Sequence, residues 1–106
     1  MKPIQLISPV DGSVYAERMP LSASAAEAVV ARAKAAQKPW AARSLEDRIA
    51  LVKAGVAKLN EMSAVVVEEI AWQMGRPTRY GGEFGGVNAR TDYMASIAAR
   101  TLAPEM

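Results

Sequence analysis

Leu45, Ile49, Val52, Val56 and Leu59 recur at intervals of 4, 3, 4 and 3 residues, the spacing that lines side chains along one face of an α-helix. A helix with such a stripe has to bury it against another apolar surface, and the rest of the chain offers little bulk for that. The apolar fraction is 51%, but it is skewed toward Ala, with one Phe, two Trp and three Tyr among 106 residues. Ala-rich helices approach one another closely yet remove less surface from water, a term worth about 25 cal/mol per Å². A chain of this length is therefore expected to form one small unit, marginal on its own unless something else covers it.

Local signals place further elements around the stripe. Ser44 precedes it as a cap, with Glu46 and Asp47 favourably set against the helix dipole, and the helix is expected over about 44–61. Its other face carries Arg48, Lys53, Lys58 and Glu61. Gly55 in mid-helix costs about 1 kcal/mol relative to Ala, which points to a close backbone approach or an unoptimised position. Upstream, Ser24-Ala25-Ala26-Glu27 has capping-box spacing. It predicts a helix over about 24–37 in which Val29, Val30, Ala33 and Ala36 share a face, Pro39 stops the helix, and Trp40 drops between it and the next.

Ser63 is expected to cap a third helix over 63–74. Val65-Val66-Val67 alone suits a strand, but Val67, Ile70 and Met74 keep helical spacing, and Gly75 with Pro77 forms a stop signal. A fourth helix is expected over about 82–100, where Phe84, Val87, Thr91, Met94 and Ala98 share a face, with Pro104 ending it. Its first turn is weakened by Gly82, Gly85 and Gly86. Before all of these, Ile4–Ile7 and Ser13–Glu17 flank the turn sequence Ser8-Pro9-Val10-Asp11-Gly12, a β-hairpin over about 4–17. The expected fold class is mainly α with an N-terminal β-hairpin. Two strands alone are marginal, so the ribbon must lie on other structure.

Composition removes several kinds of chemistry. The chain has no Cys and no His, so it lacks a thiolate nucleophile, a Cys-based zinc site, a disulfide and the commonest general base. Thirteen basic and eleven acidic side chains leave +2, alternating in sign instead of forming the block that nucleic acid attracts, so no nucleic-acid partner is expected. The pI near 9.2 follows from a small surplus of bases without His, not from a strong field. No run approaches the length of a membrane span, and the opening Met1-Lys2-Pro3-Ile4-Gln5 lacks a signal-peptide core; no membrane association and a cytoplasmic location are expected.

The candidate chemistry that remains reads as structure. Gly81-Gly82-Glu83-Phe84-Gly85-Gly86 has neither dinucleotide-fingerprint nor phosphate-loop spacing, and no strand precedes it, so close helix approach is the expected role. Glu68-Glu69 and Glu46-Asp47 are adjacent pairs whose side chains diverge by about 100° on a helix; with Glu83 they are expected on solvated faces. Tyr15, Tyr80 and Tyr93 show no basic neighbour patterned to activate them, and the Met residues at 19, 62, 74 and 94 read as packing. No catalytic, cofactor-binding or metal-ligating residue is assigned.

Several phrases in order resemble the aldehyde dehydrogenase superfamily. Ile7-Ser8-Pro9-Val10-Asp11-Gly12-Ser13-Val14 is similar to its "I-N-P-x-T/D-G-x-V" opening, with Ser8 where Asn is usual. Ala35-Ala36-Gln37-Lys38-Pro39-Trp40-Ala41 resembles "A-x-x-A-x-x-x-W", and Arg48-Ile49-Ala50-Leu51-Val52-Lys53-Ala54 with Leu59 resembles "R-x-x-x-L-x-x-x-A-x-x-L". Glu68 to Pro77 resembles "x-E-x-G-K/R-P", with Gln73 and Met74 replacing the more usual acidic and small residues. Tyr93-Met94 and Ala98 fall where members carry aromatic and small residues before their nucleotide-binding strands.

The resemblance implies that residues 1–106 are the amino-terminal part of the NAD(P)-binding domain of a larger α/β, Rossmann-like protein. Such proteins oxidise an aldehyde to an acid or thioester with a Cys nucleophile, a Glu base in many members, an oxyanion-holding Asn and NAD or NADP. None of these residues transfers to a position here, so the segment alone is expected to be inactive and to bind no cofactor. Some members also hold a monovalent cation near positions matching Ile7 and Glu83, but two oxygens do not make a hard-cation site. The implied partners are the remainder of the subunit and copies of the same chain. The competing reading is a stand-alone helical module acting through protein contacts.

Overall fold

The hydrogen bonds of the turn at residues 8–13 fix where the chain first folds back. In the computed structural model, which describes residues 1–104, strands β1 (Ile4–Ile7) and β2 (Val14–Arg18) pair antiparallel, with a bulge between Leu6 and Ile7. The Ser8 amide donates to the Ser13 carbonyl at 2.8 Å and the Gly12 amide to the Ser8 carbonyl at 2.9 Å. Gly12 supplies the positive φ of 77° that the turn needs. Asp11 Oδ1 accepts from the Ser13 hydroxyl at 2.6 Å and the Ser13 amide at 2.9 Å. These donors, the hydroxyl foremost, hold the Asp11 carboxyl below the ordinary aspartate range. The hairpin thus forms where the turn residues predict it.

Helix α1 spans Ala23–Ala41 and corrects the sequence reading at both ends. Its cap is Ser22, whose extended backbone lets the hydroxyl accept from the Ala25 amide at 3.2 Å; Ser24 lies inside the helix and no capping box forms. An earlier cap brings Ala23 and Ser24 into the helix at little steric cost. Pro39 does not stop it. Proline gives up its own amide bond and crowds the turn before it, but only Trp40 and Ala41 follow it in the helix, and the turn closes through the Ala42 amide, which donates to the Lys38 carbonyl at 3.2 Å.

Helix α2 spans Leu45–Glu61, and Ser44 caps it as expected, accepting from the Asp47 amide at 3.1 Å. Helix α3 spans Ser63–Met74 and is separated from α2 by Met62 alone. Ser63 is therefore already helical and caps nothing; the Met62 carbonyl accepts the Val66 amide instead. Gly75 ends α3 in the left-handed region at φ 74°, as its place before Pro77 predicts. A short 3-10 turn at Thr78–Tyr80, absent from the sequence expectation, leads to Gly81 at φ 67°. Helix α4 spans Phe84–Thr101. It begins two residues later than expected because Gly82 and Glu83 are used in leaving the turn, and it ends before Pro104. The order is a two-stranded hairpin followed by four helices.

The close helix packing is that of α2 against α4. The radius of gyration is 18.5 Å and the extents are 56 × 40 × 24 Å, against about 13 Å for a compact chain of this length. No apolar side chain is buried among the described residues; the sole buried residue is Ser8. Along α1 every residue but Ala25 is exposed, although Trp40, at 36%, is covered over most of its surface. The stripe on α2 has Leu45, Ile49 and Val56 half-buried, while Val52 and Leu59 are exposed at 51% and 39%. An Ala-rich set of helices has not closed a core around that stripe.

Candidate functional site

Three junctions tie the elements together, and each is polar. The first is at Ser8, which is fully buried. Its hydroxyl donates to the Trp72 carbonyl near the end of α3 at 2.5 Å and accepts from the Val10 amide at 3.2 Å. With its own amide and carbonyl also bonded, Ser8 has every polar group satisfied, as burial demands. Pro9 follows it across Gly75, where a Cβ would stand 3.3 Å from the Pro9 Cγ. Hairpin and α3 are thus fastened at the turn and the helix stop.

The second junction joins α2 to α4. Asn60 Nδ2 donates to Asn88 Oδ1 at 2.8 Å, and Asn88 Nδ2 donates to Asn60 Oδ1 at 3.0 Å. Asn60 Nδ2 also reaches the Val56 carbonyl at 2.7 Å. Sequence reading missed this pair, although Asn60 continues the apolar stripe four residues after Val56 and a polar residue in that place asks for a partner. Nearby, Lys53 and Asp92 stand 3.6 Å apart, half-exposed and exposed. The third junction is the ion pair of Arg76, just after α3, with Glu83, just before α4.

Between α2 and α4 lies an open groove of about 440 Å³, walled by Ile49, Val52, Met94 and Ala98, with Trp40 at its edge. Trp40, 36% exposed, therefore borders this groove instead of filling a seam between α1 and α2. Arg48 is not on a solvated face: it lines the groove, half-buried, and its Nε is buried without a hydrogen-bond partner. Lys53 and Arg90 also line it. The groove is apolar with a basic rim.

The candidate carboxylates do not converge. Glu68 and Glu69 are exposed on α3, Asp47 pairs with Arg43 at 2.7 Å, and Glu83 is engaged by Arg76. At Tyr80 the Arg79 guanidinium lies 4.8 Å from the ring centroid and Arg79 Nη2 donates to the hydroxyl at 3.0 Å. Both belong to an exposed turn. Among the described residues no group of three or more His, Cys, Asp or Glu is arranged to hold a metal ion.

The glycine cluster divides. At Gly82 a Cβ would press on the Phe84 ring at 3.2 Å and the Val67 Cγ2 at 3.3 Å, so close approach is its role. Gly85, Gly86 and Gly55 have open space within 4 Å, which overturns close approach within this chain for all three. Their helix faces are free to receive something else.

The sequence model described as "Aldehyde dehydrogenase family" matches residues 1–106, the whole of the chain. The chain belongs to the aldehyde dehydrogenase family. Neither a curated protein nor a solved structure gives a significant match. Members of this family use NAD(P), and the residues here do not fit that group. The glycine cluster is preceded by a 3-10 turn and not by a strand. The Glu83 carboxylate stands at the head of α4, where a phosphate would have to sit. No hydride-transfer step is derived from these residues.

Proposed function

We propose that this chain is the amino-terminal, structural part of the NAD(P)-binding domain of an oxidoreductase that oxidises an aldehyde to an acid with NAD or NADP as hydride acceptor. The observation that carries the reading is a contrast: the family match runs through all 106 residues, yet these contain no Cys. Covalent oxidation of an aldehyde needs an activated thiolate to form the thiohemiacetal from which hydride leaves. The nucleophile, the oxyanion donors and the cofactor pocket are then supplied by other parts of the protein, and this segment contributes scaffold. The absence of buried apolar side chains among the described residues supports that role. It also weighs against a stand-alone helical module, which would have to close its own core. The partners that follow are the remainder of the subunit and further copies of it, in a cytoplasmic enzyme.

The test has two arms. Purified chain incubated with an aldehyde and NAD or NADP is expected to form no NAD(P)H above a mock preparation; clear turnover overturns the assignment of a purely structural role. Reading the gene beyond the codon for Met106 is expected to show a strand, a Gly-containing turn and later a Cys. An immediate stop would return the reading to the stand-alone module.

A further inference from the structure

Asp11-Gly12 is the one place in the chain where an Asp or Asn is followed by Gly. The other aspartates, Asp47 and Asp92, precede Arg48 and Tyr93 and lie inside α2 and α4. With no side chain on the following residue, the Gly12 amide nitrogen can close on the Asp11 side-chain carbon. The attack forms a cyclic succinimide: the new bond joins Gly12 N to Asp11 Cγ, and the amide proton leaves with the carboxyl hydroxyl as water. A second water then opens the ring. Where it adds at the Asp11 main-chain carbonyl carbon, the chain afterwards runs through Cγ as isoaspartate. Water lost and water gained balance, nothing is oxidised or reduced, and no enzyme is required.

The docked hairpin holds both reactants back. Attack needs a neutral carboxyl and an amide that can give up its proton. Asp11 Oδ1 accepts from the Ser13 hydroxyl at 2.6 Å and from the Ser13 amide at 2.9 Å, bonds that favour the ionised, unreactive form. The Gly12 N–H is engaged by the Ser8 carbonyl at 2.9 Å. Ser8 is in turn buried, with its hydroxyl on the Trp72 carbonyl. Residues 9–14 are exposed, so water for the second step is at hand. The barrier is therefore the set of turn bonds and not exclusion of solvent.

We propose that Asp11 is a site of spontaneous isoaspartate formation, closed while the hairpin is docked on α3 and opened when the Ser8 to Trp72 tie releases. Release frees the turn to open locally, and Gly12 and Asp11 then lose the bonds that restrain them. The product cannot rebuild the turn. The carboxylate that Ser13 held moves onto Cα, and the main chain gains a carbon between Ser8 and Gly12, so the turn bonds lose their register. Transient undocking is thereby converted into a lasting chemical mark. This concerns the hairpin's own atoms and does not depend on the oxidoreductase reading.

The test ages the full 106-residue chain at neutral pH, with and without guanidinium chloride. Isoaspartate at Asp11 is measured in the digested peptide by electron-transfer fragmentation, which separates the isomers. The native wild-type chain is expected to form it at least about tenfold more slowly than the unfolded chain, a comparison that needs no variant. In native buffer Ser8→Ala is expected to raise the rate at least about threefold, with circular dichroism showing the helices in place. Modified chain, separated by chromatography, is expected to exchange the Ser8 and Gly12 amides faster than unmodified chain while α2 and α4 keep their protection. Equal rates in native and unfolded chain overturn the proposal, as does an unfolded chain that forms no isoaspartate. So does an unchanged rate in Ser8→Ala, or a modified chain that keeps its turn protected.

Discussion

Ser8 and Trp72, 64 positions apart in sequence, are joined through the Ser8 hydroxyl, which donates to the Trp72 main-chain carbonyl at 2.5 Å. Ser8 is also the one fully buried residue among those described. With no apolar side chain buried among the described residues, this bond is a specific tie between the hairpin and α3. Ser8→Ala removes the donor and leaves the Trp72 carbonyl and the Val10 amide without their partner. The expected cost is about 1–3 kcal/mol, seen as a lower urea midpoint. Amide exchange should quicken at Ser8 and Gly12 while α2 and α4 keep their protection; equal loss across all helices would show that the bond serves the whole chain instead.

Gly75 and Gly12 permit a controlled comparison. Both have positive φ, 74° and 77°, so Ala at either costs about 1–2 kcal/mol in backbone strain. Only at Gly75 would the new Cβ also meet Pro9 Cγ, at 3.3 Å, whereas Gly12 faces open space. Gly75→Ala is therefore expected to be the more destabilising of the two in denaturant melts. It should also weaken the Ser8 to Trp72 bond, because Pro9 would have to move. Equal destabilisation would mean that the hairpin yields freely at Pro9.

Signals confined to one turn of chain were legible in sequence, and those that depend on a distant partner were not. Ser44 followed by two acids, and Gly75 before Pro77, mark their helix ends without help from elsewhere, and both ends stand where expected. Ser22 and Ser24 offer the same hydroxyl two residues apart, and only backbone geometry chooses between them. Pro39 reads as a stop because proline forfeits a bond and crowds the turn before it, but with only two helical residues after it there is little helix left to interrupt. The hairpin could be read, its fastening at Ser8 could not, since a main-chain carbonyl as acceptor leaves no mark in residue type. Arg48 shares the polar face of its helix with lysines and a glutamate, a pattern that by itself points to solvent; its place in the groove depends on where α4 lies.

The Asn60–Asn88 pair links α2 to α4 through two reciprocal bonds of 2.8 and 3.0 Å. Asn88→Ala strands the Asn60 amide and is expected to cost about 1–3 kcal/mol. Replacing both by Leu removes the unsatisfied groups together and should cost less than the sum of the two single Ala changes. A double-mutant cycle with Ala at each position is expected to give a coupling of about 0.5–3 kcal/mol. Strict additivity in chemical denaturation would show that the amides are solvated separately and do not hold the helices together.

Helix α1 is the element with least to hold it, and hydrogen exchange should order the helices accordingly. Apart from Ala25, every residue from Ala23 to Ala41 is exposed, and beyond Trp40 at the groove its amides are protected chiefly by local helix formation, which is weak at this length. They are expected to exchange faster than those of α2 and α4, which pack against each other. Pro39 adds to the weakness, since it supplies no amide to the turn before it and crowds that turn. Pro39→Ala restores the missing donor and is expected to raise helicity by far-ultraviolet circular dichroism and slow exchange between Ala36 and Trp40. The gain should fall below the roughly 3 kcal/mol of a mid-helix proline, because only Trp40 and Ala41 follow it in the helix. A loss of stability in Pro39→Ala would show that the ring is packed against something. Slow exchange along α1 in the unaltered chain would show the same for the whole helix, and its cover would then have to come from outside these 106 residues.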